Sequence, residues 1–296
     1  MTYQEFQHAV VTGLSEHFFG SASISIRPIQ KNNNVTLDGL TILEEGMNIS
    51  PTIYLNAYYE AYQNGQTLPA LITDILTLYD KNRPIHSIDV RFYTDINNIH
   101  SRILFKLIHY KKNEALLNEI PHFRYLDLAI VFYCLISATP AGSATILIRN
   151  SHLAYWSITR DELFNYAMEN TPRLLPHMIQ SLADILNPLS DSSLQDNSTA
   201  VYVLTNHSKL YGAACILYPD ILKEFSLKSG SNLYVLPSSI HEVLLIPSSG
   251  SIHPEELNRM VCEVNATQVA DEEILSDHIY YYSLSNESLT MQQTLI

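Results

Sequence analysis

The chain is 296 residues long and carries 17 Lys and Arg against 30 Asp and Glu, a formal net charge of −13. Nucleic-acid binders place Lys and Arg on phosphates and release counterions. That balance, with Lys111-Lys112 as the only adjacent basic pair, argues against a nucleic-acid partner. Hydrophobic residues make up 46% and charged residues 16%, so a core is affordable without disulfide or metal staples, under a surface whose polarity comes largely from Asn, Ser, Thr and Tyr.

In chain order, Phe6, Val10, Leu14 and Phe18 recur every four residues, which predicts a helix over 2–19. Two alternating stretches, Ala22 to Ile29 and Val35 to Ile42, flank Lys31-Asn32-Asn33-Asn34 and predict a hairpin. Pro51 opens a Tyr-rich helix from Ile53 to Gln63, and a second helix follows Leu68-Pro69 to about Tyr79. Beyond Pro84 a third helical stretch is expected to reach Ile99. Arg102 to Tyr110, Leu126 to Ser137 and Ala144 to Arg149 read as strands, the last two joined by Thr139-Pro140-Ala141-Gly142. Thr159, with Glu162 three residues on, is a capping box. Its helix should bend or end near Thr171-Pro172, with another running to Leu186. Residues 187–198 read as loop.

Further on, a strand is expected at Ala200 to Thr205, a mostly helical stretch at Ala213 to Leu227, and strands at Leu233 to Leu236 and Glu242 to Ile246. Pro254 in a first turn opens a helix from Glu255 to Val269, with Leu257, Met260, Val261, Val264 and Val269 as its core face. A short acidic helix, a strand through Tyr280-Tyr281-Tyr282 and a frayed end complete the chain. The fold class is α+β (mixed α/β), with helices packed on mixed, largely antiparallel sheets. An N-terminal α+β part spans 1–120 and a C-terminal α/β part 121–296, unless the two form one continuous unit.

Cys134, Cys215 and Cys262 lie far apart in apolar runs and read as buried thiols of a reducing compartment. The N-terminus lacks a basic region followed by a continuous apolar core, so it is no signal peptide. The longest apolar run, Leu126 to Ile136, contains Asp127 and is too short for a bilayer span. These features predict a cytoplasmic protein with no membrane partner.

The nine glycines are too widely spaced for a dinucleotide fingerprint, a phosphate-binding loop or a hydrolase nucleophile elbow. No Cys-x-x-Cys or His-Glu-x-x-His pattern occurs, so neither a metal nor a cofactor is expected. One polar constellation stands out in LYVLPSSIHEVLLIP: Ser239, His241 and Glu242, wedged between apolar strands. On an extended backbone Ser239 and His241 would share a face, with Glu242 on the other. Ser239 or Ser238 would serve as a nucleophile with His241 as its base. The same residues, with Asn206, Glu263 and Asn265, could instead bind a ligand or partner. The structural alternative is a turn in which the serines bond backbone. The tyrosine groups Tyr58, Tyr59 and Tyr62 and Tyr280 to Tyr282 offer contact surface or core.

The runs NISPTIYLNAYYEAYQNG, LIRNSHLAYWSIT, YVLTN, GAACILYP, LPSSIHEVLLIP and MVCEVNATQV resemble, from residue 1 to about residue 285, a domain of unknown function that recurs in anaerobic Gram-positive, clostridial bacteria. The C-terminal half is distantly similar to the uncharacterised YtpQ-like family. The resemblance implies a bacterial cytoplasmic origin and places Tyr202 to Asn206, Pro237 to Glu242 and Glu263 to Asn265 on the ordered part of the fold. It implies no activity, substrate or catalytic residue. The leading expectation is a binding or adaptor protein with a protein partner. The alternative is a hydrolase or small-ligand-binding protein built on Ser239, His241 and Glu242.

Overall fold

The computed structural model describes residues 1–84, 87, 90–139, 142–186, 200–248 and 253–292. The chain divides into two compact units. Met1–Lys31, Val35–Thr94 and Ser137–Ala144 make the first, and Asn32–Asn34, Asp95–Ile136 and Thr145–Ile296 the second.

The first unit opens with α1 (Tyr3–Phe18). Thr2 caps it by accepting the Glu5 N–H, while the Glu5 carboxylate accepts the Thr2 N–H. The antiparallel hairpin of β1 (Ala22–Gln30) and β2 (Thr36–Glu44) is joined on β2 by β3 (Thr52–Tyr54). Helix was expected from Ile53. The β-branched pair Thr52 and Ile53 takes strand instead, and α2 starts only at Leu55 (Leu55–Gln63). With α3 (Leu68–Asn82), these elements bury Phe6, Leu40, Ile53, Leu55, Leu71 and Ile75 together. Tyr58, Tyr59 and Tyr62 are half-buried against this core, with the Tyr59 ring 5.4 Å from Phe6.

The helix expected beyond Pro84 is a 3₁₀ turn at Val90–Thr94 and, in the second unit, the single turn α4 (Ile96–Ile99). Residues 85, 86, 88 and 89 of that stretch lie outside the described ones.

A further sheet comprises β4 (Ile103–His109), β5 (His122–Tyr125), β6 (Leu128–Thr139) and β7 (Gly142–Leu147), with β6 bonded to the other three; all of it but the 137–144 stretch is counted in the second unit. The short helix α5 (Glu114–Leu117) lies between β4 and β5 in sequence. Tyr125 pairs with Leu128, so Leu126-Asp127 is a two-residue hairpin turn, with Leu126 at φ 56°. Pro140 and Ala141, in the expected turn before β7, lie outside the described residues.

After α6 (Asn150–Trp156), Thr159 and Glu162 cap α7 (Arg160–Leu174) as expected. As expected, α7 ends near Thr171-Pro172: Pro172 removes one i→i−4 bond of its last turn, and the helix stops two residues on, at Leu174. The Thr171 hydroxyl donates to Ala167 O and accepts the Phe105 N–H, tying that turn to β4. Pro176 then breaks the chain away from helix. The helix expected on to Leu186 is therefore strand β8 (His177–Ser181) followed by α8 (Leu182–Leu186). The loop expected at 187–198 lies outside the described residues.

The second sheet has the order β13-β12-β10-β11-β9-β8, every neighbouring pair antiparallel. Its remaining strands are β9 (Tyr202–Asn206), β10 (Leu233–Ser239), β11 (Glu242–Pro247), β12 (Tyr280–Ser283) and β13 (Ser288–Met291). The last of these replaces part of the expected frayed end. The buried stretch at Gly212–Leu217 is a 3₁₀ helix, and Pro219 delays the following α9 to Ile221–Ser229. On one face of the sheet α10 (Pro254–Thr267) packs Leu257 and Val261 against Leu236, Ile246 and Ile279.

Three expectations about α10 need correction. Met260 and Val264 are 54% and 37% exposed, because Asn265 takes the next core position on the 257–261–265 row. Val269 lies beyond the end of the helix. Cys262 is exposed, whereas Cys134 and Cys215 are buried. The class is α+β. Among the described residues no helix is long and apolar enough to cross a membrane.

Candidate functional site

The Ser239 segment is a hairpin end. Strands β10 and β11 stay in register to Pro237↔Val243, then shift so that Ser239 pairs with Glu242 and Ile240-His241 forms the turn. The shared face expected for Ser239 and His241 is therefore lost: Ile240 points inward and is buried, and the chain reverses. Ser239 Oγ accepts the His241 N–H at 3.0 Å, the local bond by which serines stabilise turns. Among the described residues no side-chain hydrogen bond joins Ser239 to the His241 imidazole.

That imidazole is engaged by the 207–212 loop. Its Nδ1 lies 3.2 Å from the Tyr211 N and 3.0 Å from Lys209 O, so it accepts from the one or donates to the other. The ring stacks on Tyr211 at 5.6 Å and 14°, and Nε2 faces Glu273 Oε1 at 3.8 Å. Tyr211 is held from its other neighbours by the Lys106 ammonium, 4.2 Å over its ring, and by the edge of Tyr133.

Asn206 belongs to this same knot. It is buried at the end of β9, where its amide donates to Leu210 O at 2.7 Å and accepts the Leu210 N–H at 3.2 Å. Next to it, Thr205 Oγ1 donates to His241 O at 2.8 Å. Gly212 passes so close that a Cβ there would stand 2.1 Å from Thr205 Oγ1 and 2.4 Å from His241 O. Asn206 and His241 are thus brought together, through Thr205, Tyr211 and Gly212. No contact brings Glu263 or Asn265 to them. Glu263 is exposed on α10, its carbonyl accepting the Thr267 hydroxyl.

Asn265 instead serves a second polar cluster. Its amide donates to Ser276 O and to Asp277 Oδ1, both at 2.9 Å. Asp127, in the β5–β6 turn, accepts the Ser276 hydroxyl at 2.6 Å and the Tyr280 hydroxyl at 2.8 Å. Lys112 pairs with Asp277 at 3.2 Å, and His109 Nδ1 accepts the Lys112 N–H. Burial holds the His109 imidazole below its usual range, with Asp127 pulling the other way. At Asp277 burial works against ionisation, but the Asn265 amide and the Lys112 ammonium outweigh it and hold the carboxyl below its usual range. The advance signals of this cluster were Asn265 and an aspartate inside an apolar run. The partners of that aspartate are 149 and 153 residues away in sequence, beyond any local pattern.

A third feature carried no linear motif. Between α9 and the β8–β9 end of the second sheet lies a cleft of about 340 Å³. Ile179, Tyr202, Ile221 and Phe225 supply its apolar floor, and His177, Ser181, Asp184, Glu224 and Lys228 its polar rim. The Tyr202 and Phe225 rings meet edge to face at 4.9 Å. Among the described residues no cluster of three or more His, Cys, Asp or Glu could hold a metal ion.

These elements define an α+β protein. The chain belongs to a family of unknown function (DUF5688), whose model matches residues 3–284. Neither a curated protein nor a solved structure matches it.

Proposed function

We propose that the chain is a cytoplasmic bacterial binding protein that acts through contacts with another protein. The observation that carries this reading is the closure of the Ser239–Glu242 segment. A hydrolase needs a nucleophile within hydrogen-bond reach of its base, on a wall where substrate can sit. Here Ser239 Oγ receives its own turn's N–H and His241 Nδ1 faces loop backbone. The cleft by α9 is lined by neither residue. The same side chains that could have formed a site are consumed in holding the 207–212 loop against the sheet, which favours binding over hydrolysis.

The test pairs two assays. Affinity capture from the source cells should recover a protein at near-stoichiometric yield. A panel of chromogenic esters and amides should show no turnover. Hydrolysis by the purified wild type that disappears in a folded Ser239→Ala variant would sink the proposal in favour of the hydrolase alternative.

A further inference from the structure

Strand β8 ends the second sheet: among the described residues it pairs only with β9. The direction of its hydrogen bonds follows from two contacts flanking the ladder. Leu182 N–H donates to Val201 O, and His207 N–H donates to Pro176 O. Both are directly opposed pairs of the same register as His177↔Asn206. Hydrogen-bonded and non-bonded pairs alternate along an antiparallel ladder. Met178 and Gln180 therefore turn their N–H and C=O groups to β9, and His177 and Ile179 turn theirs, with the Ser181 N–H, to the open edge, while the Ser181 carbonyl opens α8.

The side chains of those same three residues line the cleft under α9. From the helix come Ile221, Glu224, Phe225 and Lys228, spaced as one face of a helix is spaced. Among the described residues an unpaired edge of backbone donors and acceptors thus runs along a groove with an apolar floor. This is the arrangement that accepts an added strand, where backbone bonds give affinity and alternate side chains give specificity.

We infer that the open edge of β8 binds an extended basic peptide strand of another protein, its alternate apolar side chains entering the cleft beneath α9. The inference rests on the binding-protein reading above and names its surface and partner chemistry. The basic character follows from charge. The carboxylates of Asp184 and Glu224 stand at the rim against the single ammonium of Lys228, on a chain of net charge −13. A strand with Lys or Arg on its outer positions matches that rim. An acidic strand meets like charge.

The experiment uses the full chain and a random 12-residue display library. The expected outcome is enrichment of peptides alternating apolar residues with Lys or Arg. A synthetic peptide of the selected sequence should bind by calorimetry and protect the amides of Ile179 and Ser181 from hydrogen exchange. Affinity should fall about tenfold or more in Asp184→Lys/Glu224→Lys, whose side chains are exposed. It should fall similarly in Ser181→Pro, which removes an outward donor while leaving the bonds to β9 in place.

Failure to enrich any peptide, enrichment of acidic ones, or equal binding by both variants overturns the inference. So does concentration-dependent dimerisation that Ser181→Pro abolishes, which would assign the edge to a second copy of the chain. Cell-lysate capture with wild type and Ser181→Pro in parallel separates the two readings. A partner retained by the proline variant sinks the edge-strand site alone. Recovery of neither partner nor peptide sinks both.

Discussion

Replacing Gly212 by alanine asks for one methyl group where the backbone leaves no room. The added Cβ would stand 2.1 Å from Thr205 Oγ1, 2.4 Å from His241 O and 2.9 Å from Asn206 N. The hydroxyl can rotate away, at the loss of its 2.8 Å bond to His241 O, worth about 1 kcal/mol. The other two atoms are main chain of β9 and of the β10–β11 turn, and they move only if those segments move. Forcing a methylene into a packed interior costs about 1–3 kcal/mol, so the sum is about 3 kcal/mol against a total stability of about 5–15 kcal/mol.

Gly39→Ala is the comparison. Its Cβ would also meet atoms at 2.6 and 2.7 Å, but these are side-chain carbons of Thr52 and Ile29, on residues that are not buried, rather than main chain. Urea titration followed by circular dichroism should show the transition reporting Gly212→Ala at a midpoint lower by about 1 M, with a clearly smaller shift for Gly39→Ala. Equal shifts, or a loss below about 1 kcal/mol for Gly212→Ala, would show that the 207–212 loop can relax, and that the knot around His241 is not rigid.

Asp127→Asn should destabilise the chain by about 2–3 kcal/mol, since the Ser276 and Tyr280 hydroxyls lose a charged acceptor. Tyr280→Phe should cost about half of that, and denaturant titration of the two variants checks the ratio. His109 is harder to protonate folded than unfolded, so the unfolded chain binds the extra proton as pH falls below the ordinary value of 6.5. Stability should therefore drop as pH falls through that window, and His109→Gln, which keeps an acceptor for the Lys112 N–H, should remove that share of the slope in melts from pH 7 to pH 5. Asp277 adds a separate loss only at more acidic pH, beginning below its ordinary 3.8. With Ellman's reagent, exposed Cys262 should react at once in the native protein. Cys134 and Cys215, whose thiols burial pushes up to about 11 and about 12, should react only after unfolding. Fast reaction of more than one thiol would contradict the burial described.

What could be read in advance was local. The Thr159 cap, the Phe6–Val10–Leu14 stripe and the Ala22 to Ile42 hairpin rest on residues within a few positions of one another. The misreadings were long-range or lacked the usual residue. The β5–β6 turn hides because Leu126, not glycine or asparagine, takes the left-handed conformation. β8 hides because pairing with β9 overrides a helix-like pattern. Asn265 sits where an apolar residue would be expected, and only its distant partners Ser276 and Asp277 make that burial tolerable. In the candidate site, Ser239 and His241 were visible as an odd polar insert. That His241 would be occupied by Tyr211, thirty residues upstream, was not.

The Asp127 contacts also order events in time. On a ribosome the β5–β6 turn emerges with its carboxylate facing water, because Ser276 and Tyr280 have not been made. At about 5–20 residues per second, the intervening 149 residues take on the order of ten to thirty seconds. Throughout that interval β6 has lost none of its hydrogen-bonding partners in β4 and β5, yet the charged end of its hairpin has no protein ligand. A nascent chain halted near residue 270 would carry β4, β5 and β6 with an open acidic corner, and the stretch from Ser276 to Tyr280 would be the one that dehydrates it.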